Sequence, residues 1–456
     1  MKIIELDISF GKHRADTNWK TEYLTWDEFV DRLRRVRRTS ETMEEYDKMD
    51  NLRRSKIKDG PAFVGGFIRG GRRKKQNVDS RSLITLDADH ADDAFIFTCE
   101  LILGGYAYVI YSTHSHRPHK PKYRLIIPTD RRMSPDEYAA VSRKVAEQIS
   151  MHYFDKTTFD VHRLMYLPSC SKDAEPVLLV YEGDPLPVDE ILNKYEDWRD
   201  PNQWPRHEGD QPGKRDPSKK MEDPRSKKGI VGAFCRCFTI SEAIARFLPD
   251  KYEPVDDTLT RYTHVGSTGH GGLVVYDDDT FAYSHHENDP VGGREVNAFD
   301  LVRIHKFGHL DDQASEKTNV TKLPSHIAME QFAAELPEVK RLLLEELQQE
   351  FSDQPEPEEN PGEEEDDDSW KEKLEYSRKG DLLSSPGNVE LLLSHGEWKG
   401  VLAYDEFGNS EVIMKDLPWR KRLRPNSSYE PWLAEDDRRL RHWLGKKYKI
   451  RGANVI

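Results

Sequence analysis

A short apolar run that ends in two aspartates is the feature that most constrains the fold of this chain. Leu83–Leu86 is predicted to be a buried strand. Side chains two positions apart on a strand point to the same face, so Asp87 and Asp89 are expected to project together from its end. Two adjacent carboxylates repel each other unless a cation lies between them. The pattern predicts a site for divalent ions and a polyphosphate. The alternative is that one aspartate caps the following helix and the other is simply exposed to solvent.

Basic side chains are concentrated before this strand. Thr25 is a plausible N-cap for a helix whose other face carries several arginines, and such a run is often only a solvated face. The repetition of basic segments favours a functional reading. In the segment directly before the strand, we expect four basic side chains to contact the backbone of a nucleic-acid template: Arg72, Arg73, Lys74 and Lys75.

The composition excludes several classes of protein. Four cysteines in 456 residues do not make a disulfide framework, and together with the absence of a signal-like or membrane-spanning apolar run they predict a cytoplasmic protein with no membrane partner. Residues 350–368 hold eleven acidic residues and no Lys or Arg, so one segment accounts for most of the net charge of −14. The length predicts two to four domains.

Residues 81–182 are expected to form one compact unit of mixed α and β structure. Further strands are predicted at 107–111, 123–127 and 164–167, with helices at 92–103 and from a capping box at Ser134–Glu137. This order of strand, helix, strand, strand, helix, strand is typical of ferredoxin-like and RNA-recognition-type sheets.

The same unit adds further polar side chains to the two aspartates. Hydroxyl and imidazole groups in Ser112-Thr113-His114 follow the second strand and can bind phosphate, and an arginine on a buried strand needs an anionic partner. Asp155 is the candidate for a third metal-binding carboxylate, with Asp160 as its competitor. The predicted nucleotide-binding residues are Ser112, His114, Arg124 and Arg163. This set is an inventory for nucleotidyl transfer with two metal ions.

These motifs resemble those of the archaeo-eukaryotic primase superfamily, in particular the primase-polymerases of phages and mobile elements. The resemblance covers residues 1 to about 185 and includes Leu164–Ser169. It implies a DNA primase or polymerase with an RNA-recognition-type sheet, a single-stranded DNA template, nucleoside triphosphates as substrates and Mg²⁺ or Mn²⁺ as cofactor. It also implies Asp87, Asp89 and Asp155 as metal ligands and His114 at the phosphates, with Arg124 as an alternative to His114.

The C-terminal part resembles a second family. Asn388–Leu393, Tyr404–Phe407, Leu417–Trp419 and Trp432–Asp437 are similar to the opening of the virulence-associated E family, whose members carry a helicase ATPase further on. The chain has no phosphate loop of the Gly-x-x-x-x-Gly-Lys-[Ser/Thr] type, so the ATPase core is expected to be missing, in a truncated chain or natural fragment, and to be supplied by a partner.

A zinc site is weighed and disfavoured. Cys235 and Cys237, with His285 and His286 on a later hairpin, have a one-residue gap between the cysteines that departs from the usual spacing. The favoured alternative is a metal-free hairpin module with Cys235 in its core.

The sequence thus predicts an α/β (α+β) protein. Its expected parts are a catalytic domain (1–190), a linker (191–227), a small α+β accessory domain (228–312), a helical segment (313–350), an acidic spacer (351–372) and a mostly helical virulence-associated-E-like region (373–456). The predicted reaction is template-directed nucleotidyl transfer. A metal-dependent nuclease and a non-catalytic replication initiator are the alternatives.

Overall fold

The computed structural model describes residues 5–208, 222–276, 278–314, 318–350, 368–422 and 427–450. The chain divides into two compact units, one of residues 1–220 with 248–296 and one of residues 221–247 with 297–456. This division differs from the accessory domain expected at 228–312, because the strands of that segment group with the N-terminal residues and its helices do not. Most of the predicted acidic spacer, residues 351–367, lies outside the described residues.

The first unit contains sixteen strands and six helices among its described residues. The strands are β1 (Glu5–Gly11), β2 (Lys20–Thr25), β3 (Arg37–Arg38), β4 (Ala62–Val64), β5 (Gly66–Ile68), β6 (Val78–Ala88), β7 (Tyr108–Ser112), β8 (Tyr123–Met133), β9 (Met165–Tyr166), β10 (Ser169–Cys170), β11 (Leu178–Tyr181), β12 (Tyr252–Pro254), β13 (Arg261–His264), β14 (Leu273–Tyr276), β15 (Phe281–Ser284) and β16 (Glu295–Asn297), whose last residue opens the second unit. The helices are α1 (Trp26–Leu33), α2 (Met43–Lys48), α3 (Asn51–Lys58), α4 (Phe95–Ile102), α5 (Pro135–Ile149) and α6 (Val188–Leu192).

A five-stranded antiparallel sheet with the order β11-β7-β8-β6-β5 forms the centre of this unit. Strand β8 lies between β6 and β7 and pairs antiparallel with both, so β6-α4-β7 is the split βαβ unit that the sequence predicts. The mixed α+β fold class is confirmed.

The predicted position of the last strand is wrong. Met165 and Tyr166 form β9, which pairs with β4 in a different sheet of order β2-β1-β4-β9. The outer neighbour of β7 is β11, and β5 occupies the place beside β6. The sequence misses this arrangement because short apolar strands carry no signal of which partner they pair with.

The chain crosses between these two sheets at a pair of glycines. The apolar run Phe63–Ile68 reads in the sequence as one strand containing glycine, but it is interrupted at Gly65, which separates β4 in one sheet from β5 in the other. A Cβ atom on Gly65 would lie 2.6 Å from the Cβ of Leu83, and one on Gly66 would lie 2.0 Å from the carbonyl oxygen of Ser80. Only glycine allows the backbone to approach β6 this closely.

Two apolar cores cover the two faces of the central sheet. On one face Ile84, Leu86 and Ala88 of β6 join the cluster that contains Phe95 of α4 and Tyr138 of α5. On the other face Leu83 packs with side chains of β1 and α1. The alternation along β6 therefore places Asp87 on the same face as Leu83, opposite α4 and α5.

The helices that frame the sheet begin where the sequence predicts. Thr25 and Ser134 cap α1 and α5 with complete capping boxes, in which Glu28 and Glu137 return hydrogen bonds to the cap residues. Such reciprocal bonds satisfy two otherwise unpaired amide groups at each helix start.

Asp136, in the first turn of α5, attaches the sheet β12-β13-β14-β15-β16 to the N-terminal domain. Its buried carboxylate accepts hydrogen bonds from the amide groups of Thr268, Gly269 and Glu287 at 2.9–3.1 Å. These contacts explain why residues 248–296 belong to the first unit.

The second unit is mainly helical. Its described helices are α7 (Ile230–Cys237), α8 (Ile240–Phe247), α9 (Ala298–Phe307), α10 (Pro324–Ala334), α11 (Pro337–Glu350), α12 (Pro386–Ser394) and α13 (Ala434–Tyr448), with a small sheet of β17 (Leu402–Asp405), β18 (Ser410–Ile413) and β19 (Glu430–Pro431). Cys235 lies buried on α7, a helix of this unit and not part of a hairpin module, and burial raises the pKa of its thiol to about 12.

Candidate functional site

A polar pocket of about 410 Å³ lies at the end of β6, within the first unit. Its walls carry six cationic side chains and two carboxylates. The charged lining residues are Arg14, Lys58, Arg73, Asp87, Asp89, Lys122, Arg124 and Arg163. Because the cations outnumber the carboxylates, the pocket is suited to a ligand of high negative charge.

Asp87 is the most buried carboxylate of this pocket, with 6% of the residue exposed. Its amide donates a 2.7 Å hydrogen bond to Thr158 Oγ1. Arg124 lies opposite it on β8, with Nε 3.5 Å from Oδ1, and Arg163 Nη2 lies 3.4 Å from Oδ2. Within the described part of the chain, Oδ1 is a buried oxygen without a hydrogen-bond donor. A buried carboxylate oxygen left in this state has the properties of a cation ligand.

Asp89 lies two residues further on and also lines the pocket, as the strand geometry predicts. Lys122 Nζ lies 2.8 Å from its Oδ1. Lys58 also lies near these charges. Burial and the neighbouring charge of Arg124 lower the pKa of this lysine, while Asp89 and Asp87 oppose the shift. The crowding of cations indicates that an anionic ligand would relieve unfavourable charge repulsion here.

Arg124 is held from several sides. Its Nη1 donates a 3.0 Å hydrogen bond to the carbonyl oxygen of Tyr166, and its guanidinium carbon lies 5.8 Å from the ring centres of Tyr111 and Tyr166. The Nε atom has no hydrogen-bond acceptor among the described residues. The arginine is therefore fixed in place with one donor available to a ligand.

His114 lines the pocket, but both of its ring nitrogens have protein partners. Nδ1 lies 3.2 Å from Ser169 Oγ and Nε2 lies 3.0 Å from Glu41 Oε1. Burial lowers the pKa of the imidazole in spite of the carboxylate. Because a carboxylate only accepts hydrogen bonds, Nε2 carries the proton. Ser112 does not reach the pocket: its Oγ accepts the amide of Val177 at 2.9 Å.

The candidate third carboxylate is adjacent in the backbone but directed elsewhere. The amide of Asp155 donates a 3.0 Å hydrogen bond to the carbonyl oxygen of Asp87. The side chain of Asp155, however, caps the turn Lys156–Phe159 and accepts from the amide of Thr157 at 2.7 Å. Burial raises the pKa of Asp160, the competitor. Neither carboxylate lines the pocket.

The basic run before β6 is divided between different environments. Arg73 lines the pocket, and its guanidinium donates to the carbonyl oxygens of His162 and Arg14. Lys75 forms a buried ion pair of 3.1 Å with Glu287. A template contact would require Lys75 on the surface, and the ion pair with Glu287 keeps it from that position. The template contacts of Arg72 and Lys74 remain predictions.

Sequence reasoning missed two cations of the pocket, Arg14 and Lys122, and it expected Lys58 only as one of several basic side chains that converge near a polyanion. Lys122 lies directly before β8 and only two residues from Arg124. A basic residue at the start of the strand that pairs with the aspartate strand could have predicted its place in the pocket. Arg14 and Lys58 come from segments whose position depends on the pairing of β1 with β4, which the sequence does not reveal.

Comparison with known proteins gives a match over the N-terminal part of the chain. A family model described as the VapE N-terminal domain matches residues 2–207. This match relates the pocket-bearing segment to the virulence-associated E family, whereas the resemblance to that family predicted from the sequence lies at 373–456, outside the matched residues. A search of curated proteins gives no match.

One solved structure is similar, the AEP domain of the primase-polymerase of cyanophage S-2L. The alignment has 11% sequence identity and a TM-score of 0.25, and it covers 41% of this chain and 88% of that chain. Among the described residues, we find no helix with the length and apolar character needed to cross a bilayer.

Proposed function

We propose that this chain, whose residues 2–207 match the VapE N-terminal domain, is a primase-type nucleotidyltransferase that extends a strand on a single-stranded DNA template. One observation carries the proposal: the buried Oδ1 of Asp87 lacks a donor among the described residues and lies in a pocket lined by six cations. This combination fits a divalent ion together with the polyphosphate of a nucleotide.

The donor set of the pocket fits Mg²⁺ or Mn²⁺. Both ions prefer oxygen ligands, and Mg²⁺ is usually bound by one or two carboxylates plus substrate phosphates. Asp87 and Asp89 would hold the ion, which supplies charge neutralisation at the reacting phosphate when it is bound. Two carboxylates are enough protein ligands for such an ion. Asp155 is therefore not a ligand in this proposal; its backbone amide supports the carbonyl group of Asp87.

The cations of the pocket would bind the triphosphate. Arg124 and Arg163, now paired with Asp87, would turn their charge towards the phosphates once a metal ion takes the carboxylate. Lys122 would leave Asp89 in the same way. Charge-assisted hydrogen bonds of this kind are about twice as strong as neutral ones. His114, which is neutral and held by Glu41 and Ser169, would shape the pocket wall without adding charge.

The proposed step is an in-line displacement at phosphorus. The 3′-oxygen of the growing strand attacks the α-phosphate, the bond to the β-phosphate breaks, and pyrophosphate leaves with the negative charge of that bond. The arginines and lysines stabilise this charge on the leaving group. The proton of the 3′-hydroxyl passes to solvent.

The test is a primer-extension and de novo synthesis assay on a poly-pyrimidine template, with Mg²⁺ or Mn²⁺ and with each class of nucleotide. We expect extension by the unaltered chain and loss of at least about a hundredfold in rate for Asp87→Asn, because a metal-holding charge is lost. Asp79→Asn is the matched control, since Asp79 lies on the same strand, outside the pocket, beside Arg69. Equal rates for the two variants would overturn the proposal.

The same assay distinguishes the two alternatives. A nuclease cleaves the DNA with metal alone and needs no nucleotide, whereas extension requires nucleotide. A non-catalytic initiator produces neither product, and the doubly substituted chain Asp87→Ala and Asp89→Ala would then retain its DNA affinity and its function in replication.

A further inference from the structure

The second unit contains a larger cavity, of about 840 Å³, whose wall is also basic. Four lysines and one arginine line it, together with two acidic residues: Lys227, Lys228, Arg236, Lys379, Lys449, Glu346 and Asp381. Arg236 and Glu346 neutralise each other at 2.7 Å. Besides this pair, the wall carries four lysines and one carboxylate, that of Asp381, so its formal charge is positive.

Two glycine turns that contact each other join the backbone segments that carry three of these lysines. The amide of Ile230 donates a 3.1 Å hydrogen bond to the carbonyl oxygen of Lys379. Gly229 and Gly380 have φ angles of 77° and 90°, and a Cβ on Gly229 would lie 2.9 Å from that same carbonyl oxygen. Glycine is required for this approach. The contact fixes the segment with Lys227 and Lys228 beside the turn with Lys379.

Apolar side chains complete the wall between the lysines. Leu343, Leu347 and Leu382 line the cavity, contributed by α11 and by the turn after Gly380. A basic wall that also offers apolar and aromatic side chains, here including Tyr448, suits a single nucleic-acid strand, because the phosphates bind the cations and the unpaired bases pack against the rings. An isolated nucleotide would leave much of this volume empty.

We infer that this cavity binds the backbone of a single DNA strand and so forms a nucleic-acid site in the second unit, separate from the pocket at Asp87. The inference does not depend on catalysis, because it concerns binding without metal or nucleotide. Lys227 and Lys379 provide the central phosphate contacts.

A lysine-protection measurement tests this locally on the unaltered full chain. The chain is treated with an acylating biotin ester in the presence of EDTA, with and without a saturating fifteen-residue oligothymidylate, and the modified lysines are identified by mass spectrometry. We expect at least about threefold protection of Lys227 and Lys379. Lys322 and Lys373, exposed lysines of the same unit outside the cavity, are the controls and should keep their reactivity. Equal reactivity of all four with and without DNA would overturn the inference.

Charge reversal gives an independent readout. For Lys227→Glu with Lys379→Glu we expect about a tenfold loss of oligothymidylate affinity at physiological salt. We also expect a salt slope shallower by about 1.4, because two phosphate contacts are lost at about 0.7 each. Lys322→Glu with Lys373→Glu is the matched control. Unchanged affinity and slope in a cavity variant with a normal circular dichroism spectrum would contradict the site. Protection by ATP alone, without protection by the oligonucleotide, would also contradict it.

Discussion

The amide of Asp155 donates a 3.0 Å hydrogen bond to the main-chain carbonyl of Asp87. The residue that the sequence predicts as the third metal ligand is therefore a backbone neighbour of the first. Its carboxylate instead caps the following turn through Thr157. This geometry separates two roles, ligand and support, that a sequence motif alone cannot distinguish.

The first prediction concerns these roles. We expect Asp155→Asn and Asp160→Asn to retain Mn²⁺ affinity within about threefold, because an asparagine still caps the turn and the pKa of Asp160 is already raised by burial. The measurement is a Mn²⁺ titration followed by electron paramagnetic resonance. A loss of tenfold or more in Asp155→Asn alone would restore Asp155 as a direct ligand.

The second prediction ranks the residues of the pocket wall. Arg163→Ala should weaken binding of a nucleoside triphosphate about tenfold, the cost of one charge-assisted contact of about 1.4 kcal/mol. His114→Gln should cost less than about threefold, because the imidazole is neutral and already bonded to Glu41 and Ser169. Isothermal titration calorimetry measures both.

Arg69→Ala is the control for this comparison, since Arg69 is an exposed arginine outside the pocket. A greater loss for His114→Gln than for Arg163→Ala would show that the histidine contacts the phosphates, as the family resemblance implies.

The third prediction is a pH dependence of stability. Burial lowers the pKa of His285 to about 3, and its Nε2 has no hydrogen-bond partner within the described residues. The unfolded chain therefore takes up a proton near pH 6.5 that the folded chain takes up only near pH 3. The contribution of this residue to stability is complete above about pH 6.5 and is lost progressively as the pH falls from about 6.5 towards about 3.

Replacing His285 by glutamine should reduce the loss of unfolding free energy between pH 7.5 and 5.5 by an amount on the order of 1 kcal/mol. Urea unfolding at the two pH values measures it. His442→Gln, at an exposed histidine, is the control and should behave as the unaltered chain does. An identical acid dependence in all three chains would refute the assignment.

The fourth prediction concerns the crossing between the two sheets. Gly66→Ala should destabilise the first unit by about 3 kcal/mol, because the new Cβ would meet the backbone of β6 at Ser80. Amide hydrogen exchange in β6 measures the local opening free energy. Gly387→Ala is the control, since no described atom lies within 4 Å of the position that its new Cβ would take. Equal protection of β6 in both variants would contradict the close approach.

Local sequence signals account for the elements that carry the site. The N-cap at Thr25, the capping box at Ser134, the apolar run before Asp87 and the strand with Arg124 lie where the sequence predicts them. Each of these signals depends on residues within a few positions of one another, so one sequence is enough to recognise it.

Long-range pairing accounts for the elements that the sequence does not predict. The place of β9 beside β4, the contribution of Arg14 to the pocket and the burial of Lys75 against Glu287 all depend on segments far apart in the chain. The side-chain direction of Asp155 is a similar case, because a capping turn and a metal ligand use the same residue type.

The central claim is that Asp87 binds a divalent ion together with a triphosphate. The most direct test is Mn²⁺ titration of the full chain, with and without a non-hydrolysable deoxynucleoside triphosphate analogue. The account predicts that the analogue tightens Mn²⁺ binding at least about tenfold in the unaltered chain and in Asp79→Asn, and that Asp87→Asn abolishes this coupling. Equal coupling in Asp87→Asn would contradict it.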